Sequence, residues 1–234
     1  MVRVLAVSDE VDAGLLAGVR PAGRAGVILA CGDLPFGYLG YLMDALDVPL
    51  AFVPGNHDPD VSGYRTSRAG LTLRAGFPAQ PPWPSGAVCA DGRIITVAGL
   101  RVAGLGGCRR YTGGPNQYTQ RQQARRARVL ARRAALLRLR DGRGVDVLLT
   151  HAPPRGCGDG DDLPHQGFGA LNTLAAGLQP AVLLHGHVRP QETASPARRL
   201  GRTLVRNVTG HCLFDLDPVT GLVRDLPAGQ GRAR

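Results

Sequence analysis

Short apolar runs recur along the chain and alternate with segments of helical spacing. Val2 to Val7, Val27 to Ala30 and Leu50 to Val53 are β-type runs, with helical stretches near Asp12 to Gly18 and Tyr38 to Leu46 between them. That order predicts a βαβαβ unit with a parallel sheet. The proline-rich segment Phe77 to Gly86, which holds the only tryptophan, reads as a surface loop. Arg93 to Val97 and Leu100 to Ala103 flank Ala98-Gly99 and predict a hairpin that leads on to Gly104-Leu105-Gly106-Gly107. Thr119-Gln120-Arg121-Gln122 has the form of a capping box, so a long helix is expected to begin there. Ala124, Ala127, Ala131, Ala134 and Leu137 recur at three- and four-residue steps and give that helix a narrow face able to press on a sheet. Beyond it come a strand at Val145, a helix near Phe168 to Leu178, a strand at Ala181, and a second expected hairpin, Thr203 to Val208 with Cys212 to Leu216. Asp225 to Arg234 is expected to be a frayed tail. The order fits an α/β fold in one domain over residues 1–224, with two mixed β-sheets packed as a sandwich and flanked by helices.

Composition adds a size and a compartment. With 234 residues, 44% of them hydrophobic, the chain can bury one sizeable core. Met1-Val2-Arg3-Val4-Leu5 enters a strand pattern without a charged leader, and no apolar run approaches the roughly 20 residues that span a bilayer. A cytoplasmic protein with no membrane association is expected. Cysteines 31, 89, 108, 157 and 212 show no C-x-x-C spacing and read as buried thiols in a reducing compartment.

Charge changes the picture further. The net charge is +10, and all 28 basic residues are arginine. No acidic residue falls between Asp91 and Asp141, where arginines 121, 125, 126, 128, 132, 133, 138 and 140 share one predicted helix. A phosphate-bearing partner is the electrostatic implication: a phosphoester small molecule or nucleotide, or nucleic acid along the Arg121 to Arg140 helix. A merely solvated helix face is the plainer alternative.

The apolar runs end in one kind of chemistry. Asp9 follows the first, Gly32-Asp33 the second, Gly55-Asn56-His57-Asp58 the third, His151 follows Val145 to Leu149, and Gly186-His187 follows Ala181 to Leu184. In open α/β sheets such strand ends converge on one crevice where ligands bind. This order of motifs resembles the metallophosphoesterase superfamily, also called calcineurin-like phosphoesterases, over about residues 2 to 215. The resemblance implies the sandwich fold, hydrolysis of phosphoesters, and two metals that share an aspartate. The chain departs from the pattern at Val11 and Arg189, which stand where the family has histidines. In the family both histidines serve the metal also held by the first aspartate.

A complete ligand set for the other metal remains: Asp33, Asn56, His151 and His187. Two oxygen and two imidazole ligands suit a divalent transition metal, manganese first with iron or zinc as alternatives, and one ion per chain is expected. Asp9 is assigned to the same centre, as a metal ligand, as holder of the attacking water, or as a partner of Arg189. Glu10 is a candidate replacement ligand, and Asp12 reads better as a helix N-terminal charge. The resemblance makes His57 the acid that protonates the leaving oxygen and gives Asp58 the task of orienting its ring. Arg189 brings a fixed positive charge to the place of the missing ion. His185 is expected behind the ligands, His165 near substrate and His211 in a structural role, while Gly113 to Tyr118 is either a lid or a plain loop leading into the helix. The expected activity is that of a metal-dependent phosphodiesterase or phosphatase. The alternatives are a binding module of this fold that has lost catalysis, and a binder of nucleic-acid phosphates.

Overall fold

The computed structural model of the protein describes residues 1–18, 23–67, 71–189 and 197–226. Its first half follows the apolar runs: β1 (Val2–Ser8), α1 (Ala13–Leu16), β2 (Val27–Ala30), α2 (Phe36–Leu46) and β3 (Leu50–Phe52). The strands β1, β2 and β3 pair in parallel, as the βαβαβ pattern requires. A small antiparallel sheet follows, built from β4 (Tyr64–Thr66), β5 (Thr72–Arg74) and β6 (Phe77–Pro78). Its strands hold two or three residues each, too few to register as apolar periodicity, and β6 takes the first two residues of the expected proline-rich loop.

The chain then supplies β7 (Val88–Cys89) to the edge of the first sheet and forms the expected hairpin from β8 (Ile94–Val97) and β9 (Leu100–Leu105). Two short strands, β10 (Cys108–Arg109) and β11 (Gln117–Tyr118), bracket a loop ahead of α3 (Gln120–Asp141). The capping box forms as read: Thr119 Oγ1 accepts from the Gln122 amide at 3.2 Å, and Gln122 Oε1 accepts from the Thr119 amide at 2.8 Å. The face of α3 that enters the core is rotated from the expected alanine stripe, because Gln123, Ala127, Leu130 and Ala134 are its buried residues and Leu137 is only half-buried. After β12 (Val147–Thr150), α4 (Gly169–Leu178) and β13 (Val182–His185) come β14 (Ala197–Leu200), β15 (Thr203–Asn207), β16 (Gly210–Leu216) and β17 (Val223–Asp225).

Two six-stranded mixed sheets result, ordered β17-β16-β1-β2-β3-β7 and β14-β15-β13-β12-β9-β8. Val4, Ala6, Val27 and Leu29 of one sheet meet Val102, Val147, Leu149 and Leu184 of the other in a fully buried layer. On the far face of the first sheet, Leu5, Ile28 and Phe52 pack on Leu39 and Leu42 of α2. On the far face of the second, Leu105, Leu148 and Leu183 pack on Leu130 of α3 and Leu171 of α4. Both faces of each sheet are thus covered, which is why the parallel strands are continuously apolar.

The second expected hairpin does not form. Thr203–Asn207 lies parallel to β13 in the second sheet, and Gly210–Leu216 runs antiparallel to β1 in the first. Val208 is buried in the layer between the sheets, and Gly210, at φ 79°, turns the chain from one to the other. The end of the chain is more ordered than expected up to residue 226, since β17 pairs with β16 and Asp225 forms an ion pair with Arg206. The rest of the expected tail, 227–234, lies outside the described residues.

Candidate active site

The C-terminal ends of β1, β2, β3 and β13 open on one cavity of about 630 Å³, and His151, just after β12, is buried against Asn56 and Asp33 of its wall. Asp9, Asp33, Asn56, His57, His187 and Arg189 all line it. Three of these side chains sit on backbone that L-residues seldom adopt, with φ values of 61° at Asp9, 57° at Asp33 and 69° at His187. Such conformations are costly and persist where the surroundings enforce them. Here the site residues enforce one another. The His187 amide donates to Asp9 Oδ2 at 3.0 Å, the Asp33 amide to Asp58 Oδ2 at 3.0 Å, and the Asp9 amide to the Gly32 carbonyl at 3.2 Å.

Glycine is required where these loops touch. A Cβ on Gly55 would fall 2.1 Å from Asp33 Oδ1 and 2.7 Å from His151 Cε1, and one on Gly186 would fall 2.0 Å from Asp9 Oδ2. Gly55→Ala is therefore expected to displace the Asp33 carboxylate and to destabilise the fold by about 1–3 kcal/mol, the usual cost of overpacking. Thermal unfolding measures this directly, and a midpoint equal to that of the wild type would contradict it.

Asp33, His151 and His187 each present a ligand atom within 4.8 Å of the others, and Asp9 lies outside that group. His151 is fully buried; its Nδ1 donates to the Cys31 carbonyl at 2.7 Å, so its other nitrogen, Nε2, faces Asn56 Oδ1 at 3.1 Å and Asp33 Oδ2 at 3.2 Å. A neutral His151 would bring three acceptors together with no proton among them. Burial alone would disfavour a charged ring, but the Asp33 carboxylate outweighs it and lifts His151 to about 9. The same pull favours a metal cation between these atoms. His187 uses Nε2 on the Pro164 carbonyl at 2.9 Å, which leaves Nδ1 for a ligand. Burial, then the charge on His151, pushes His187 down to about 3, so its ring is neutral as a ligand must be. In both histidines a backbone carbonyl fixes the tautomer, the usual support for metal-bound imidazole. Burial opposes the charge on Asp33, yet His151 and the His57 amide hold its pKa below the ordinary carboxylate value. The donor set fits a divalent transition metal.

The contacts of the Asp58 carboxylate are with backbone. The buried Asp58 carboxylate accepts through Oδ2 from the amides of Gly55, at 2.7 Å, and Asp33, and among the described residues no hydrogen bond joins it to the His57 ring. These bonds tie the two loops together, and burial raises its pKa. The His57 ring is exposed in the cavity, while the His57 amide donates to Asp33 Oδ1 at 2.8 Å. Glu10 lines the cavity without joining the ligand group. Asp12 caps α1 through the Leu15 amide at 2.8 Å and meets His211 at 3.0 Å, a structural arrangement for both. His185 is buried behind the ligands, where desolvation pushes it down to about 4. His165 lines the cavity, its ring 5.2 Å from that of His187.

The Gly113 to Tyr118 segment is tied down rather than free to close. Buried Asn116 donates to the carbonyls of Asp58 and Pro59, at 3.1 and 3.3 Å. Just before it stands a residue that the motifs do not mark, Tyr111, whose hydroxyl accepts from Asn56 Nδ2 at 3.2 Å. On α3, Arg121, Arg125, Arg128 and Arg132 are exposed, but Arg126 is held by Asp91 at 2.5 Å and Arg133 by the Gly92 carbonyl at 2.8 Å. Among the described residues, no helix is long and apolar enough to cross a membrane.

Two covered sheets thus bring acids, an amide and imidazoles together at their strand ends, in a group that could hold a metal ion. The calcineurin-like phosphoesterase profile matches residues 12–189, and the chain belongs to that family of metal-dependent phosphoesterases. A solved crystal structure superposes at TM-score 0.60, with 15% identity, over 97% of this chain and 99% of its own. The crystal structure of TT1561 from Thermus thermophilus does so at 0.56, with 17% identity, over 95% of this chain and 96% of its own. At these identities the likeness is one of fold. No curated protein sequence matches the chain.

Proposed function

We propose that the protein is a phosphodiesterase with a single-metal centre held by Asp33, Asn56, His151 and His187. The observation that carries this reading is the convergence of His151 Nε2 with Asn56 Oδ1 and Asp33 Oδ2, at 3.1 and 3.2 Å, while Val11 and Arg189 occupy the places of the other metal's histidines. A divalent ion held by these residues would supply Lewis acidity at a phosphoryl oxygen and make the attacking water more acidic. The chain's own residues do the rest. Arg189 lines the same cavity and can hold two phosphoryl oxygens at once. His57 donates a proton to the leaving oxygen as its bond to phosphorus breaks, while water attacks in line and gives up its own proton to solvent. Asp9, through the His187 amide, keeps that ligand's loop in place and stands at the cavity wall for the incoming water. A diester carries one negative charge where a monoester carries two, which suits a centre with one ion and one arginine.

His187→Ala is expected to release the metal and to abolish turnover. Elemental analysis of the purified variant checks it, and a full complement of metal would contradict the assignment. Hydrolysis of nitrophenyl diesters and monoesters by wild-type protein with manganese, iron or zinc tests the reading itself; absence of turnover with every combination would favour a binding module. The four exposed arginines of α3 favour a nucleic-acid phosphate as a second reading. Charge reversal at Arg125 and Arg128 should then weaken binding to random oligonucleotides and flatten its salt dependence.

A further inference from the structure

The loop between β10 and β11 is built around one buried side chain. Gln117 Oε1 accepts from three successive amides, Tyr111 at 3.1 Å, Thr112 at 3.0 Å and Gly113 at 3.2 Å, and Gln117 Nε2 donates to Thr112 Oγ1 at 2.9 Å. Asn116 fastens the same loop to the backbone of Asp58 and Pro59. Tyr111 is therefore placed by the folded loop rather than left to find a position at the surface.

Its hydroxyl is oriented by a proton argument. Asn56 turns its carbonyl oxygen to His151, so its amino group faces Tyr111. An amino group only donates, and the phenolic oxygen must accept there. A phenol carries a single proton, which is then directed away from Asn56. Tyr111 lines the cavity with His57 and Arg189, so that proton is available to an acceptor bound there.

We infer that Tyr111 is a substrate-contacting catalytic residue whose hydroxyl donates a hydrogen bond to a non-bridging phosphoryl oxygen, with Gln117 as the positioning residue that sets it in place. The inference rests on the phosphoesterase reading above and adds a neutral donor to it. A neutral donor suits a site with one histidine-poor half, because it stabilises phosphoryl charge without asking for a second ion.

The test is Tyr111→Phe in the metal-loaded protein, which removes one oxygen and keeps the ring. With a nitrophenyl diester, kcat is expected to fall about 10- to 100-fold, the worth of one hydrogen bond to a charged group. Affinity for inorganic phosphate, measured by calorimetry, is expected to fall several-fold, and the metal dissociation constant by chelator competition to stay within about threefold of wild type. Gln117→Ala should lower kcat as well, and adding it to Tyr111→Phe should cost kcat little more, since both act through one hydroxyl. Wild-type kcat and phosphate affinity in Tyr111→Phe would overturn the inference, as would losses fully matched by lost metal, which would make the tyrosine a prop for Asn56 alone. Turnover by the wild type judges the phosphoesterase reading separately. The ratio of phosphate affinities judges Tyr111 even where turnover is absent.

Discussion

Replacing His57 with alanine is expected to lower turnover by about 10²–10⁴-fold, the contribution of a positioned general acid, while the metal content stays at the wild-type level. The geometry separates the two effects. The contact between this residue and the ligand set runs through the His57 amide, which donates to Asp33 Oδ1 at 2.8 Å and survives truncation of the ring. The ring itself is exposed in the cavity. The loss should be largest for an alkoxide leaving group, which needs a proton, and should shrink for nitrophenolate, which does not. Turnover with a matched pair of alkyl and nitrophenyl diesters, together with elemental analysis, measures both parts. Loss of metal equal to that in His187→Ala would make His57 a ligand and reverse its role.

The second large effect is expected at Arg189. Arg189 takes the sequence position at which the family motif has a histidine, and it lines the cavity. A planar donor that keeps its charge at any working pH can take over part of an ion's electrostatic work on a phosphoryl group. Arg189→Ala should cost roughly 2–4 kcal/mol of transition-state stabilisation, read as kcat/KM on the best diester substrate. Arg189→His should not bring back a second metal, because Val11 still offers no donor atom. Wild-type kcat/KM in the alanine variant would show that the arginine faces solvent without consequence.

The sequence was most legible where burial on both faces made a strand continuously apolar and where its end carried a polar group. β1, β2, β3, β12 and β13 could be found that way, and the same rule picked out Asp33, His151 and His187, whose ligand atoms lie within 4.8 Å of one another. It could not tell which sheet a strand would join. Thr203–Asn207 and Gly210–Leu216 look like two arms of a hairpin, yet Asn207 donates to the Val188 carbonyl at 2.5 Å and the chain passes between the sheets. The backbone contacts of Asp58 were hidden because they join loops from two separate strands, Asp33 after β2 and Gly55 after β3. Tyr111 was hidden for a related reason. Its contact with Asn56 depends on a loop that Gln117 folds back on itself, and nothing in the local pattern around Arg109 to Gly114 announces that fold.

We propose one complete ligand set per chain, the other being broken at Val11 and Arg189. Elemental analysis of protein purified at full activity tests it most directly, with metal counted per chain after free ion has been removed. The expected result is about one divalent transition metal per chain, lost in His187→Ala and retained in His57→Ala. Two ions per chain at full activity would contradict the claim and would point to Asp9 and Glu10 as ligands of a second centre.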